Sequence, residues 1–163
     1  MKFKKIRNAG ALLDHGCVES RELVLEVVDE ILRVLDSEKR LKSFIEIKDE
    51  KLKVGYEEFD LNRYERIFAV SAGKAANHMA KAFEDILGDR LTLGIAVVKV
   101  KEDSDIYSKT EVYVGGHPLP DAGGVEGCKR ISAIAEEMTE KDMLFLGLSG
   151  GCTALLGYPV EEI

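Results

Sequence analysis

Apolar residues recur along this chain with two different periods, and the change falls near residue 66. Between residues 18 and 36, Leu23, Val24, Val27, Val28, Ile31, Leu32 and Leu35 return at three- and four-residue intervals. That spacing predicts an amphipathic helix. Ser37 to Leu41 is charged and reads as the exit from it. Phe44 to Ile47 and Leu52 to Val54 alternate, which predicts a short hairpin turning at Asp49-Glu50.

From Ile67 onward the apolar residues form compact runs. Ile67 to Val70, Leu93 to Val100, Val112 to Val114 and Met143 to Leu148 read as four strands. Such runs, with little alternation, suit strands covered on both faces, as in a parallel sheet. Helical stretches lie between them. Residues 75–87 carry Ala75, Ala76, Met79, Ala80, Phe83 and Leu87 on one face and stop at Gly88-Asp89. Residues 122–138 and 151–156 also read as helices, and 101–110 as a polar surface connection. The alternation predicts an α/β fold, a Rossmann-like open and mostly parallel sheet with helices on both faces. No repeat or linker interrupts it, so residues 1–163 are read as one domain. A doubly wound sheet normally continues past its last turn, so the domain is expected to be a partial N-terminal one.

Composition narrows the class. The chain is 45% apolar and 33% charged, with a net charge of −7 and a pI near 5.1. That balance argues against general nucleic-acid binding, which needs clustered Lys and Arg. Cys17, Cys128 and Cys152 lack metal-ligand spacing, so no metal site is expected. No apolar run approaches the roughly 20 residues of a membrane helix. A cytoplasmic protein without a membrane partner is expected.

Three glycine-bearing turns carry the candidate chemistry. Each follows a predicted strand, and in an open parallel sheet such turns gather at the carboxyl edge, where ligands bind. The first is Ser71-Ala72-Gly73-Lys74. It is not a P-loop, because Phe68 stands where that motif needs glycine, and no G-x-G-x-x-G is present. Gly73 permits close backbone approach, and Lys74 adds a mobile charge suited to a phosphoryl oxygen or carboxylate. A tight turn with a solvated lysine explains the same residues equally well. His78, four residues on, is more simply a surface histidine than a donor to the site.

The second turn is Gly116-His117-Pro118-Leu119-Pro120-Asp121. His117 is a candidate donor or acid–base group in a rigid frame. Asp121, taken alone, is better explained as a helix cap than as a cation ligand. The third is Ser149-Gly150-Gly151-Cys152-Thr153-Ala154. Its diglycine offers a nest of N–H groups, and Ser149 and Thr153 add hydroxyls. Cys152 is a packed thiol more readily than a nucleophile, since G-x-S-x-G is not matched.

In this order the three turns resemble the type-2 glycerate kinases, whose pattern combines Gly-Lys-Ala-Ala, Gly-His-Pro-x-Pro-Asp and Ser-Gly-Gly-Gly-Ser-Ala. Here they stand as Gly73-Lys74-Ala75-Ala76, Gly116 to Asp121 and Ser149 to Ala154. The resemblance implies ATP-dependent phosphorylation of D-glycerate to 2-phosphoglycerate, with ATP and Mg2+. It implies Lys74 as the catalytic residue. Ser71, Gly73, His117, Asp121, Ser149, Gly150, Gly151 and Thr153 would bind substrate or phosphate. Cys152 replaces a family glycine and Thr153 a family serine, and the cysteine puts a side chain where φ > 0 is in question.

Family members are longer and add a second domain, so this chain would supply one wall of a cleft. A separately encoded C-terminal half and a homo-oligomer are both open. Three alternatives remain: a catalytically incomplete anion-binding or interaction fragment, a nucleotide-binding redox domain, and a hydrolase using Cys152.

Overall fold

The computed structural model describes residues 2–102 and 105–160. Its first third is helical and antiparallel. A short helix α1 (Ala9–Leu12) precedes α2 (Val18–Val34) and α3 (Ser37–Phe44). Strands β1 (Ile45–Lys48), β2 (Lys51–Val54) and β3 (Glu57–Asp60) form an antiparallel sheet in that order. The rest alternates as predicted: β4 (Arg66–Ala72), α4 (Ala76–Leu87), β5 (Leu93–Val98), β6 (Thr110–Val114), α5 (Ala122–Glu137), β7 (Asp142–Leu148) and α6 (Cys152–Leu155). These strands make a sheet of order β6-β5-β4-β7, parallel throughout.

Three local expectations change. Ser37 to Leu41 is not an exit. The Asp36 carboxylate accepts a hydrogen bond from the Lys39 N–H and starts a new helix. A Glu38–Lys42 pair one turn apart supports it, and Lys42 also reaches Asp85 on α4 at 2.7 Å. Phe44 therefore ends a helix, and the strand begins at Ile45. The hairpin forms, and its turn needs no glycine, because Asp49 and Glu50 both take the positive φ that a tight two-residue turn requires. The third strand, β3, was not anticipated. All four of its residues are exposed, so nothing in its pattern marks a buried face.

Unbroken apolar runs in β4 and β5 follow from burial on both faces. On one side Ile67 and Ala69 pack with Met79, Phe83 and Leu87 of α4, joined by Ile45, Leu52 and Leu61 from the antiparallel part. On the other, Phe68, Val70, Ala72, Ile95 and Val97 meet Ile134 and Leu155. The parallel sheet thus has α4 on one face and α5 on the other, and the antiparallel sheet shares the α4-side core. Helix α2 is the exception: its apolar face is open to solvent.

At the amino ends of β4 and β7 a half-buried ion pair clamps the sheet. Arg66 Nε and Nη2 donate to the two Asp142 carboxylate oxygens at 2.8 Å each, and Thr139 N–H adds a bond at 2.7 Å. The Asp142 side chain is only 2% exposed. The Arg66 guanidinium, ahead of the Thr139 donors, holds this carboxyl well below the usual carboxylate range. A depressed pKa stabilises the fold at every pH above the unfolded value near 4, and that contribution is lost as pH falls below it. Asp142→Asn is therefore expected to lower Tm by several degrees at neutral pH. The gap to the wild type should narrow in melts taken below about pH 3.

Candidate functional site

The carboxyl ends of β4 and β7 lie in register, Ala72 beside Leu148, so their following turns are neighbours. Backbone and hydroxyl bonds stitch them together. Ser149 N–H donates to Ala72 O at 2.9 Å, and Lys74 N–H donates to Gly150 O at 3.0 Å. The Ser149 hydroxyl accepts from Ala75 N–H at 3.0 Å and donates to Ala72 O at 3.3 Å. Gly73 takes φ +114° at the closest approach, where a Cβ would lie 2.6 Å from Ser149 O.

This stitching leaves specific groups free. Lys74 is exposed, and its ammonium has no hydrogen-bond or ion-pair partner among the described residues. Neither the Gly150 nor the Gly151 N–H donates to any described atom. Gly151 takes φ +90°, and a Cβ there would sit 2.7 Å from His117 Nε2 and 3.5 Å from Lys74 Cε. His117 and Lys74 therefore flank Gly151 closely. His117 Nδ1 is buried and has no partner among the described residues. His117 precedes Pro118 through a cis peptide bond.

Other predicted residues are placed differently. Asp121 caps α5, its carboxylate accepting from Gly124 N–H at 3.1 Å. The Gly124 amide first, then those of Gly116 and Gly123, lower its pKa. Ser71 is 1% exposed, and its hydroxyl is unpartnered. It is paired with Gly147, whose missing side chain would face Phe83 and Met79, so Ser71 lies on the α4 side of the sheet. Thr153 and His78 are exposed, Thr153 in the first turn of α6. Cys152 is half-buried at the start of α6, and its φ is not positive. The backbone here accepts a cysteine in place of glycine without strain.

The arrangement combines fixed amides, a free ammonium and an imidazole. Such a set can hold a phosphate or carboxylate through charge-assisted hydrogen bonds. The family resemblance puts His117 and Gly151 in one site, but nothing in either residue's local sequence marks their direct approach. Their strands, β6 and β7, are opposite edges of the sheet. What brings them together is α6, which turns back so that Leu155 packs over Gly115 and Gly124.

Fold and edge define an α/β protein of the open parallel-sheet class, with three turns gathered at one carboxyl edge. The chain belongs to the family described as domain of unknown function (DUF4147), which matches residues 23–163. It is 32% identical over 146 residues to a glycerate 2-kinase of Pyrococcus horikoshii, covering 90% of this chain and 32% of that protein. It is also 32% identical over 99 residues to a D-glycerate 2-kinase of Thermotoga maritima, covering 61% and 24%. A solved Pyrococcus horikoshii structure superposes with a TM-score of 0.74 at 31% identity, over 88% of this chain and 32% of that one. The resemblance to the N-terminal domain of glycerate kinases is thereby borne out. The chain spans about a third or less of the length of the curated relatives it matches.

Proposed function

We propose that this chain forms one wall of the active site of a glycerate 2-kinase, which transfers a phosphoryl group from ATP to the 2-hydroxyl of D-glycerate. The observation that carries this reading is the free Lys74 ammonium set beside the unpaired Gly150 and Gly151 amides and the His117 ring. ATP, when bound, supplies the phosphoryl group. Phosphoryl transfer needs positioning and charge stabilisation more than covalent chemistry. Lys74 neutralises charge on the transferring group or the substrate carboxylate. The two amides and the Thr153 hydroxyl orient the anion at no reorganisation cost, because the stitched turns already hold them. His117 borders the anion and contacts substrate. Gly73 and Ser149 hold the turns together, Asp121 acts on the pocket through the backbone amides it caps, and Ser71, buried on the α4 side of the sheet, makes no contact with the anion.

The residues present fit an anionic phosphate. No cluster of three His, Cys, Asp or Glu side chains that could hold a metal occurs among the described residues. The other wall is supplied by a polypeptide equivalent to the rest of the longer relatives. It meets the free edge of β7, where Leu146 and Leu148 are exposed. A second reading, an anion-binding part that turns nothing over by itself, is favoured by the coverage of about a third. Among the described residues no helix is long and apolar enough to cross a membrane.

Phosphorus NMR of the protein with ATP, magnesium and D-glycerate tests both readings. The expected product is 2-phosphoglycerate, formed only when the polypeptide equivalent to the rest of the relatives is present. Phosphate on the 3-hydroxyl overturns the regiochemistry, and turnover by the chain alone overturns the one-wall reading. No glycerate-dependent turnover in the complete assembly overturns the kinase.

A further inference from the structure

Helix α2 is arranged the wrong way round for a helix that packs on its own protein. Asp29 is its one buried residue among those described, at 8% exposure. The Asp29 carboxylate accepts hydrogen bonds from the N–H groups of Lys4, Lys5 and Ile6 at 2.7 to 3.1 Å. Lys2 pairs with Glu22 and Glu26 along the same side. The N-terminal segment therefore covers the polar back of the helix. The apolar front, Leu23, Val24, Val27, Val28, Ile31, Leu32 and Leu35, is between 38% and 69% exposed. No strand or other helix packs extensively on it.

We infer that this face is an interface between two copies of the chain, paired through antiparallel α2 helices about a two-fold axis. Three observations select a second copy. The stripe is self-complementary. About a dyad between Asp29 and Glu30, Val24 faces Leu35 of the other copy, Val27 faces Leu32, and Val28 faces Ile31. Charge permits self-contact although the chain carries −7. At 3.6 residues per turn, Glu19, Glu22, Glu26, Asp29 and Glu30 all fall on the opposite arc. The charge nearest the stripe, Arg21, lies at its N-terminal end and donates to Leu12 O at 2.9 Å. Area is also sufficient. The exposed stripe amounts to on the order of 700 Å² per copy, so a pair covers at most about 1,400 Å², which reaches the lower end of specific interfaces.

Sedimentation equilibrium of the unaltered chain at about 50 μM tests this, beside a Val27→Glu/Ile31→Glu variant. Both positions are exposed, so the fold does not depend on them, and far-UV circular dichroism checks this. Leu23→Glu/Leu35→Glu serves if the first variant misfolds. The expected result is a dimer whose Kd rises at least ~100-fold in the variant, leaving monomer. A wild-type chain that is monomeric overturns the inference, including one that associates only with the polypeptide equivalent to the rest of the relatives. A dimer that survives both variants overturns it too. None of these results depends on kinase activity.

Discussion

Lys74→Ala is expected to lower kcat/KM for ATP-dependent phosphorylation of D-glycerate by about 10²- to 10³-fold in the assembled enzyme, the usual cost of removing one preorganised charge-stabilising donor. The loss should fall on kcat at least as much as on KM, because charge on the transferring oxygens is greatest in the transition state. Stability should not change. Lys74 is exposed, and its ammonium bonds to no described residue, so Tm should stay within about 2 °C of the wild type. Lys74→Arg tests geometry separately from charge, since a planar fork does not replace a compact ammonium at close quarters. Recovery of less than a tenth of the activity is expected. Unchanged kcat/KM in Lys74→Ala would remove this residue from the chemistry.

The elements most legible from the sequence are those whose residues answer to one environment. β4 and β5 sit between α4 and α5, so every position after Arg66 at the amino end of β4 is apolar or small and the runs read as buried strands. α4 is amphipathic because one face meets the sheet and the other meets water. α3 was misread because its eight residues carry little apolar signal, yet Asp36 three residues before Lys39 was a cap in plain sight. β3 had no comparable mark, since only its pairing with β2 makes it a strand. The three turns were visible as motifs, and their shared edge followed from parallel topology. Which side chains meet there was not visible. Ser71 looked like part of the turn but points under α4, because successive strand residues alternate faces and Ser71 follows Ile67 and Ala69 onto the α4 side. Gly151 and His117 meet only after α6 folds back. Likewise the amphipathic stripe of α2 was easy to see, but no local pattern says whether such a stripe finds its own core or another molecule.

Gly73→Ala is expected to be the most damaging single substitution at this edge, lowering stability by roughly 3 kcal/mol, or about 10 °C in Tm for a chain of this size. Two costs combine. At φ +114° an L residue is strained wherever it points. The new Cβ would also lie 2.6 Å from Ser149 O and 2.8 Å from Ser149 C. Those are backbone atoms, so no rotamer change relieves the contact. The two turns must separate, which breaks the bond from Lys74 N–H to Gly150 O and that from Ala75 N–H to the Ser149 hydroxyl. Phosphate affinity should therefore fall together with stability, although no group that would touch phosphate has been removed. A companion substitution separates the causes. Ser149→Ala removes the hydroxyl that the same Cβ would strike but leaves the carbonyl in place, so Gly73→Ala/Ser149→Ala should melt no higher than Gly73→Ala. Gly150→Ala is the control, since φ there is not positive and a Cβ would meet nothing within 4 Å. It should melt within about 2 °C of the wild type and keep its affinity, because alanine retains the backbone amide. If Gly73→Ala melts like Gly150→Ala, the two turns are not held together by this close approach.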